Sequence, residues 1–460
     1  MNRWHAVVVA TSVGALLAAT AACSSSGSGS GNSSSAAKNT NFSAKPSGTL
    51  NSWSFDNADD VGKARMGYAD AQLKKSGVTV KYDQTSFDAQ KFTTRLASGD
   101  VPDVVQMDAQ DVITYAAQGL IMPLNKCYSQ NNVDPSTLFY PAVTGDVTWK
   151  NQIWAVPQFY QPSAILVDEN VLQAAGLTNA DIDTSNMPRL LAAIKKMYKS
   201  SGGNPSTLGF DPQATGNVYL WLLGLGGQVT DKNGAPALDS AANEAALSAL
   251  KQITDAQGGY AKLKSFTDTF DFFGAKNQFV KNQVGAEVDA QWYPNVLSPY
   301  TKQIKIQTVP FKNKSGQPVT VSDDTAFVIP TKSRNPVAAC QWALAVDSMG
   351  SWKAAEAARN ATLAKTGSPN TGLFTGEPAV DKILRADSKP SGNADFDQAV
   401  QGFYDIVGDG IALPASPAGQ EIQTDLQNAF TSVLTGQSSP KDALAKAQSD
   451  AMRAYQNVTK

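Results

Sequence analysis

Histidine is almost missing from this chain. The one present, His5, lies within the first 22 residues, just before an apolar N-terminal stretch. Beyond that stretch there is no imidazole, which excludes Ser-His-Asp and Cys-His catalysis and imidazole metal centres. Cysteine is nearly as scarce: Cys23, Cys127 and Cys340. No segment after residue 22 has the roughly 18–20 consecutive apolar residues that a spanning helix needs. Charge of one sign is also lacking. The formal charge is −2 and only 17% of residues are charged, so there is no electrostatic footprint for nucleic acid. The phosphate-cradling pattern Gly-x-x-x-x-Gly-Lys-[Ser/Thr] is absent, and there is no fixed-period repeat. What remains is an ordinary globular composition, 42% hydrophobic. Its 460 residues exceed what one core needs, which predicts two domains.

Residues 1–22 read as a cleaved export signal. Arg3 supplies the positive start, and residues 6–17 are apolar except for Thr11, Ser12 and Gly14. Small residues follow, as Thr20-Ala21-Ala22-Cys23. Small-small-Cys resembles a bacterial lipobox, with Thr20 where Leu is usual. The resemblance implies lipidation of Cys23 and a location on the extracytoplasmic face of the membrane, held by the lipid alone. The alternative is a plain secretory signal cut near Ala22. Residues 24–45, rich in Ser and Gly, read as a flexible tether with a reach of roughly 25 Å. Cys127 and Cys340 could pair in an exported protein. Cys127 follows Leu124-Asn125 in an expected loop, whereas Cys340 sits in an apolar helical run, so two unpaired thiols are expected.

Folded sequence is expected from about Pro46. Residues 48–55, 78–82 and 103–107 read as strands, alternating with helices over 59–75 and 89–97. That alternation predicts a parallel α/β sheet. The pattern repeats loosely, with strands at 153–156, 164–167, 285–288 and 326–329 and helices at 190–199 and 241–256. A hairpin is expected over 228–238, turning at Asp231-Lys232-Asn233-Gly234. The last third reads as mostly helical, ending with 443–455.

Several blocks carry a resemblance. They are Leu96-Ala97-Ser98-Gly99-Asp100-Val101-Pro102-Asp103, then Ala117-Gln118-Gly119-Leu120, Gln152-Ile153-Trp154-Ala155-Val156-Pro157 and Leu172-Gln173-Ala174-Ala175-Gly176-Leu177. Further on come Phe279-Val280-Lys281-Asn282-Gln283-Val284-Gly285 through Trp292-Tyr293, Ala326-Phe327-Val328-Ile329-Pro330 and Ser439-Pro440-Lys441-Asp442-Ala443-Leu444. In this order the chain resembles the type-1 extracellular solute-binding proteins, the sugar-binding group that includes maltose-binding protein. It departs at Thr184-Ser185-Asn186-Met187-Pro188, where the family usually has Pro-x-Thr-Trp. The resemblance implies a two-lobed α/β fold of the type II periplasmic-binding kind, with ligand in the cleft between the lobes. Crossings are implied near Phe159, Thr325 and Asn393. One lobe would take 46–158 plus 326–393, the other 159–325 plus 394–460.

A sugar offers hydroxyls at its rim and C–H patches on its faces, so its site needs aromatic faces and planar polar side chains. Candidates lie where strands run out. Trp53, Asp56 and Asn57 close the first strand, with Trp53 as core the alternative. Met107, Asp108 and Gln110 follow the third, where the resemblance puts the cleft; Asp108 also suits a helix N-cap. Tyr160 and Gln161 stand at the first crossing. Asp289, Trp292 and Tyr293 follow a later strand, and Trp292 aligns with the family's stacking aromatic. Asp323 and Asp324 stand at the second crossing as partners for hydroxyls or a cation, or as a solvated hinge. Phe374 is a possible lid contact; Trp221 reads as core.

The expected function is the substrate-binding component of an ABC importer. It binds a sugar or oligosaccharide and delivers it to the permease subunits, acting as a monomer without cofactor, metal or catalysis. Alternatives are a secreted carbohydrate-active enzyme using paired carboxylates among Asp108, Asp289, Asp323 and Asp324, a binding protein for a non-sugar solute, and a surface lipoprotein without an importer.

Overall fold

The computed structural model describes residues 37–55, 59–321, 324–388, 390–413 and 415–460. The signal, Cys23 and the start of the tether lie outside these residues, as do Asp56, Asn57 and Asp323.

Strand β1 (Gly48–Trp53) opens the first sheet and leads into helix α1 (Asp60–Lys74), which Asp59 caps by accepting from Gly62 N. Strand β2 (Val78–Asp83), helix α2 (Ala89–Ser98), strand β3 (Val104–Asp108) and helix α3 (Ala109–Ala117) follow. Helix α2 stops at Gly99, whose φ of 83° is the left-handed geometry that glycine adopts without a Cβ clash. Next come β4 (Val156–Phe159), β5 (Ser163–Asp168), β6 (Ala286–Ala290), β7 (Ile306–Val309) and β8 (Thr325–Val328).

The first sheet has the order β2-β1-β3-β8-β4. Strand β1 is parallel to β2 and β3, whereas β8 is antiparallel to both β3 and β4. The chain therefore leaves this sheet after β4 and returns to place β8 between β3 and β4. The second sheet is β6-β5-β7, with both neighbours antiparallel to the fully buried β5. Helices Pro336–Val346 and Met349–Thr366 pack on α1. Helix Ala394–Ile406 packs on β7, while Gly419–Leu434 and Pro440–Thr459 share a core with Ala241–Asp255. Late sequence thus completes both halves. At the crossing, Ser163 N donates to Thr320 Oγ1 at 2.8 Å, and Thr320 N and Ile411 N bond to Asp409 O and Thr320 O at 3.1 and 2.8 Å.

Two expectations change and one holds. The segment before Pro46 is not all tether: Phe42 is fully buried and its N–H donates to Gln130 Oε1 at 2.6 Å. A Ser/Gly-rich composition conceals one apolar anchor. The expected hairpin over 228–238 is present: Thr230 bridges Pro236 antiparallel, Asp231 N donates to Ala235 O and Ala237 N to Val229 O at 2.8 and 2.9 Å, and Asp231 Oδ1 accepts from Asn233 N and Ala235 N in the turn. Finally, Cys127 and Cys340 form a disulfide, with Cα atoms 5.8 Å apart. Cys127 lies on a short helix, Asn125–Gln130, that packs against Pro336–Val346, so residues 213 positions apart meet in one core.

The disulfide closes a long loop and is fully buried on both sides. Cys340→Ala is expected to destabilise the protein by roughly 2–5 kcal/mol. Denaturant titration of the variant beside the oxidised parent measures this, and an unchanged midpoint would contradict it.

Candidate functional site

A cleft of about 370 Å³ opens between the two sheets. Its first wall comes from Gln106 on β3, Gln158 and Phe159 on β4, Thr325 on β8, the start of α1, Arg359 and the loop 371–374. Gln291, Trp292 and Asn295, just past β6, form the opposite wall.

The floor is polar and fixed. Arg65 Nη1 donates to Gln158 Oε1 at 2.7 Å, which turns the Gln158 amide so that Nε2 donates to Thr325 Oγ1 at 2.7 Å. Gln106 is 8% exposed and its Oε1 has no protein partner, an acceptor left for a ligand or water. At the mouth, Arg359 Nε reaches both Asp60 carboxylate oxygens at 3.1 Å and Nη2 reaches Asp59 at 3.0 Å. Burial pushes the Asp60 carboxyl up, but the Arg359 hydrogen bonds and charge outweigh it and hold the group below its ordinary value. The remaining Arg359 nitrogen, Nη1, donates across the cleft to Asn295 Oδ1 at 3.2 Å. Its charge is thus matched by two carboxylates, and the other polar lining is amide and hydroxyl.

Trp292 is half-buried on a rigid base. Gln291 N donates to Pro162 O at 3.0 Å, and Pro294 starts the short helix Tyr293–Leu297. Beneath it the Tyr293 ring stacks on Phe272 at 4.1 Å, and its hydroxyl donates to Phe272 O at 3.0 Å.

Of the expected residues, Gln161, Trp292 and Phe374 line the cleft; Phe374 is mostly covered by stacking on Tyr404 at 4.2 Å. The others go elsewhere. Trp53 is core: its ring lies 5.5 Å from Phe87 and 6.2 Å from Phe92, with Lys91 and Arg95 over its face. Met107 is core because strand alternation sends its neighbour Gln106 to the cleft. Asp108 is exposed at the N-cap position of α3 without a side-chain capping bond, and Gln110 lies in the first turn; neither lines the cleft. Tyr160 is fully buried, its ring 5.5 Å from Tyr140, packed against the crossing at Gly410. Tyr293 is the buried base just described. Asp289 is 6% exposed and points into the second half, away from the cleft. Asp324 is buried and accepts from Gln161 N at 3.2 Å, so it braces the crossing beside Asp146. Trp221 is core, as expected, its Nε1 donating to Pro212 O at 2.8 Å.

Gln106, Gln158, Asn295, Arg359 and Thr371 escaped the sequence reading. The one available signal was a glutamine inside the apolar run Val104-Val105-Gln106-Met107, near the end of a buried strand. Arg359 reaches the site from a distant helix, and no local pattern marks it.

Two α/β halves, joined by crossing segments and enclosing a cleft between them, define a two-lobed binding fold. Residues 56–344, well over half of the chain, match the family described as bacterial extracellular solute-binding protein, and the chain belongs to that family. The mannotriose-bound structure of CpMnBP1 is similar, with TM-score 0.70, 21% identity, and 88% of this chain and 99% of that one covered. The maltose/maltodextrin-binding domain MalE from Bdellovibrio bacteriovorus, bound to maltotriose, has TM-score 0.63 at 14% identity, covering 90% and 100%. The sugar-binding protein MalE from Xanthomonas citri has TM-score 0.68 at 13%, covering 89% and 98%. Comparison with curated protein sequences gave no match.

Behind Trp292, strand β6 carries Glu287 and Asp289 on one face, beside Asp211. Gln213 and Gln278 donate to Glu287 at 2.9 and 2.8 Å. Burial and then the Asp211 charge push the Glu287 carboxyl up to about 8; burial pushes Asp211 up to about 6 and Asp289 well above its ordinary value. The folded state therefore holds more protons than the unfolded one between the ordinary carboxylate range and about pH 8. Stability from this cluster is full below that window and is lost as pH rises through it. Tm is expected to fall between about pH 5 and pH 8.5, and Glu287→Gln to make that fall shallower. Thermal denaturation of both proteins across pH measures it; identical slopes would contradict the assignment.

Proposed function

We propose that the chain is the substrate-binding component of an ABC importer, and that it takes a sugar or oligosaccharide in the cleft and delivers it to the permease subunits. The observation that carries the reading is the cleft's chemistry. Glutamine and asparagine amides, each able to donate and accept, face a half-exposed indole, and the one cation among the described lining residues is paired. That set suits a neutral molecule with hydroxyls at its edge and C–H faces. The sugars bound in the similar structures support the same reading. A ligand that touches Gln106 on one wall and Trp292 on the other favours the state in which the walls are close, by its differential affinity for that state. We place the lobes at 46–158 plus 326–393 and 159–325 plus 394–460, with the docked residues 37–45 joining the first.

The family is extracellular, which puts the working site outside the cytoplasm. We further propose that Cys23 carries a lipid and that the protein works as a monomer tethered to the membrane. Cys23→Ser is then expected to move the protein from the membrane fraction to the medium; a variant that stays membrane-bound argues against the anchor.

Trp292→Ala is expected to weaken saccharide binding by roughly 1–3 kcal/mol, about 5- to 150-fold, with little change in the Tm of the free protein. Calorimetric titration with mannotriose and maltotriose, plus a melting curve, tests this. Unchanged affinity, or a stability loss of the core-truncation size of about 3–5 kcal/mol, would contradict it.

A further inference from the structure

A second cavity, of about 400 Å³, opens on the first half of the molecule and shares no lining residue with the cleft. It lies among the short helix Pro135–Leu138, the end of helix Pro336–Val346, the start of Met349–Thr366 and helix Pro378–Asp387. Leu138, Phe139, Leu344, Met349 and Val380 give it apolar walls. Two acids also line it, Asp347 and Glu377, which are 3% and 2% exposed. Asp347 Oδ1 faces Arg65 Nη2 at 3.3 Å, but Asp347 Oδ2 and Glu377 Oε1 have no hydrogen-bond partner among the described residues. The indole N–H of Trp352, beside both acids, is itself without a partner. A buried acceptor left bare is costly, and two on one cavity mark a place for a donor.

Charge points the same way. Arg65 is the one buried cation among the described residues, and it faces Asp347 and Glu377, with Asp381 behind them. Burial, with the Asp381 charge added, pushes the Glu377 carboxyl up to about 8 against the pull of Arg65. Burial also pushes Asp381 up to about 6 and Asp347 well above its ordinary value. The Tyr128 phenol faces the same acids and is pushed up by burial and their charge, so it stays neutral. Protons thus hold these acids toward their neutral forms, a task that a bound cation performs equally well. We propose that this cavity binds a small aliphatic amine as its ammonium ion. The ammonium, with three donors and no acceptor, meets the two bare oxygens, and its carbon chain runs along the apolar walls toward the mouth. No group of three or more acidic, histidine or cysteine ligands suited to a metal exists among the described residues, which favours an organic cation. Asp134, exposed on the lining, adds negative charge at the rim. The site backs onto the cleft floor, because Asp347 holds Arg65 and Arg65 holds the Gln158 amide.

The test is calorimetric titration of the whole mature chain with n-butylammonium chloride, with n-butanol as the uncharged match and sodium chloride as the salt control. Butylammonium is expected to bind and butanol is not. Because the ammonium takes the place of a proton, affinity should rise as pH goes up through about 8 and level off above it. Glu377→Gln keeps the shape of the neutral acid. It should weaken binding by about tenfold or more and flatten that rise. Ala379 is exposed on the wall of this cavity and off the cleft, so Ala379→Phe should block binding with an unchanged melting curve. That variant carries the test if Glu377→Gln fails to fold. The site is overturned if butylammonium does not bind the parent at about pH 8.5, above the Glu377 range. It is overturned equally if Ala379→Phe or a folded Glu377→Gln binds as tightly as the parent, or if butanol binds as well as butylammonium.

Discussion

The Arg65 guanidinium has no access to solvent, and the first half of the molecule is arranged around it. Removing a cation from water is costly unless every donor finds a partner. Here Nε donates to Val346 O at 3.1 Å, Nη1 to Gln158 Oε1 at 2.7 Å and Nη2 to Asp347 at 3.3 Å. Its flat face lies 3.8 Å from the Trp352 ring centroid and 4.9 Å from Phe159. Burial lowers its pKa to about 10, against the opposing pull of Asp347 and Glu377, so it stays a cation at neutral pH. One side chain on α1 thus joins the strand that leaves the sheet, the end of helix Pro336–Val346 and the start of Met349–Thr366. The same bond fixes which way the Gln158 amide faces, and with it the floor of the cleft.

The distribution of carboxylates follows from related physics. Glu287, Asp289 and Asp211 lie behind the second wall, and Asp146 and Asp324 brace the crossing, while Asp59 and Asp60 neutralise Arg359. Each buried acid is held toward its neutral form or bonded to amides, the cheaper state in a low dielectric. Among the described lining, the donors and acceptors other than Asp59 and Arg359 are uncharged amides and hydroxyls. Charged groups in a binding cleft would favour ions over neutral solutes, whereas amides bond hydroxyls in either sense.

Much of the fold was legible because it is local. The β1-α1-β2-α2-β3 run, its glycine stop at Gly99 and the helical last third each follow from periodicity and caps. The resemblance placed Trp292, and the geometry puts it on the cleft. Legibility failed where a property depends on distant chain. Cys127 and Cys340 pair only because two helices 213 residues apart dock, and thiols judged by their neighbours looked unpaired. Phe42, a lone phenylalanine in polar surroundings, reads as tether until the helices that bury it are in place. Past the third strand and past β6 the named residues stand beside the cleft lining, but often on the other face. Met107 was named where Gln106 faces the cleft, and Asp289 and Tyr293 flank Trp292 yet point inward. A period of two makes an error of one residue complete.

The two ends of the cleft are held by very different bonding. At the crossing, Thr320 alone bonds Ser163, Asp409 and Ile411 through backbone and side chain, and Asp324 ties Gln161 to the same place. The bonds of the buried Thr320 hydroxyl, from Ser163 N and to Ser163 O, are 2.8 Å each and lie out of solvent. Across the mouth, by contrast, Arg359 and Thr371 share one acceptor, Asn295 Oδ1, at 3.2 and 3.3 Å, and Asn295 is exposed. Water can compete for such exposed bonds, whose net contribution is about 0.5–1.5 kcal/mol for the hydroxyl and about 1.5–3 kcal/mol for the guanidinium. The bonds at the crossing are buried and those at the mouth are not. A ligand that bridges the walls adds its own contacts to the two exposed bonds at the mouth, and the gain in the closed state is the difference between its contacts there and in a more open one.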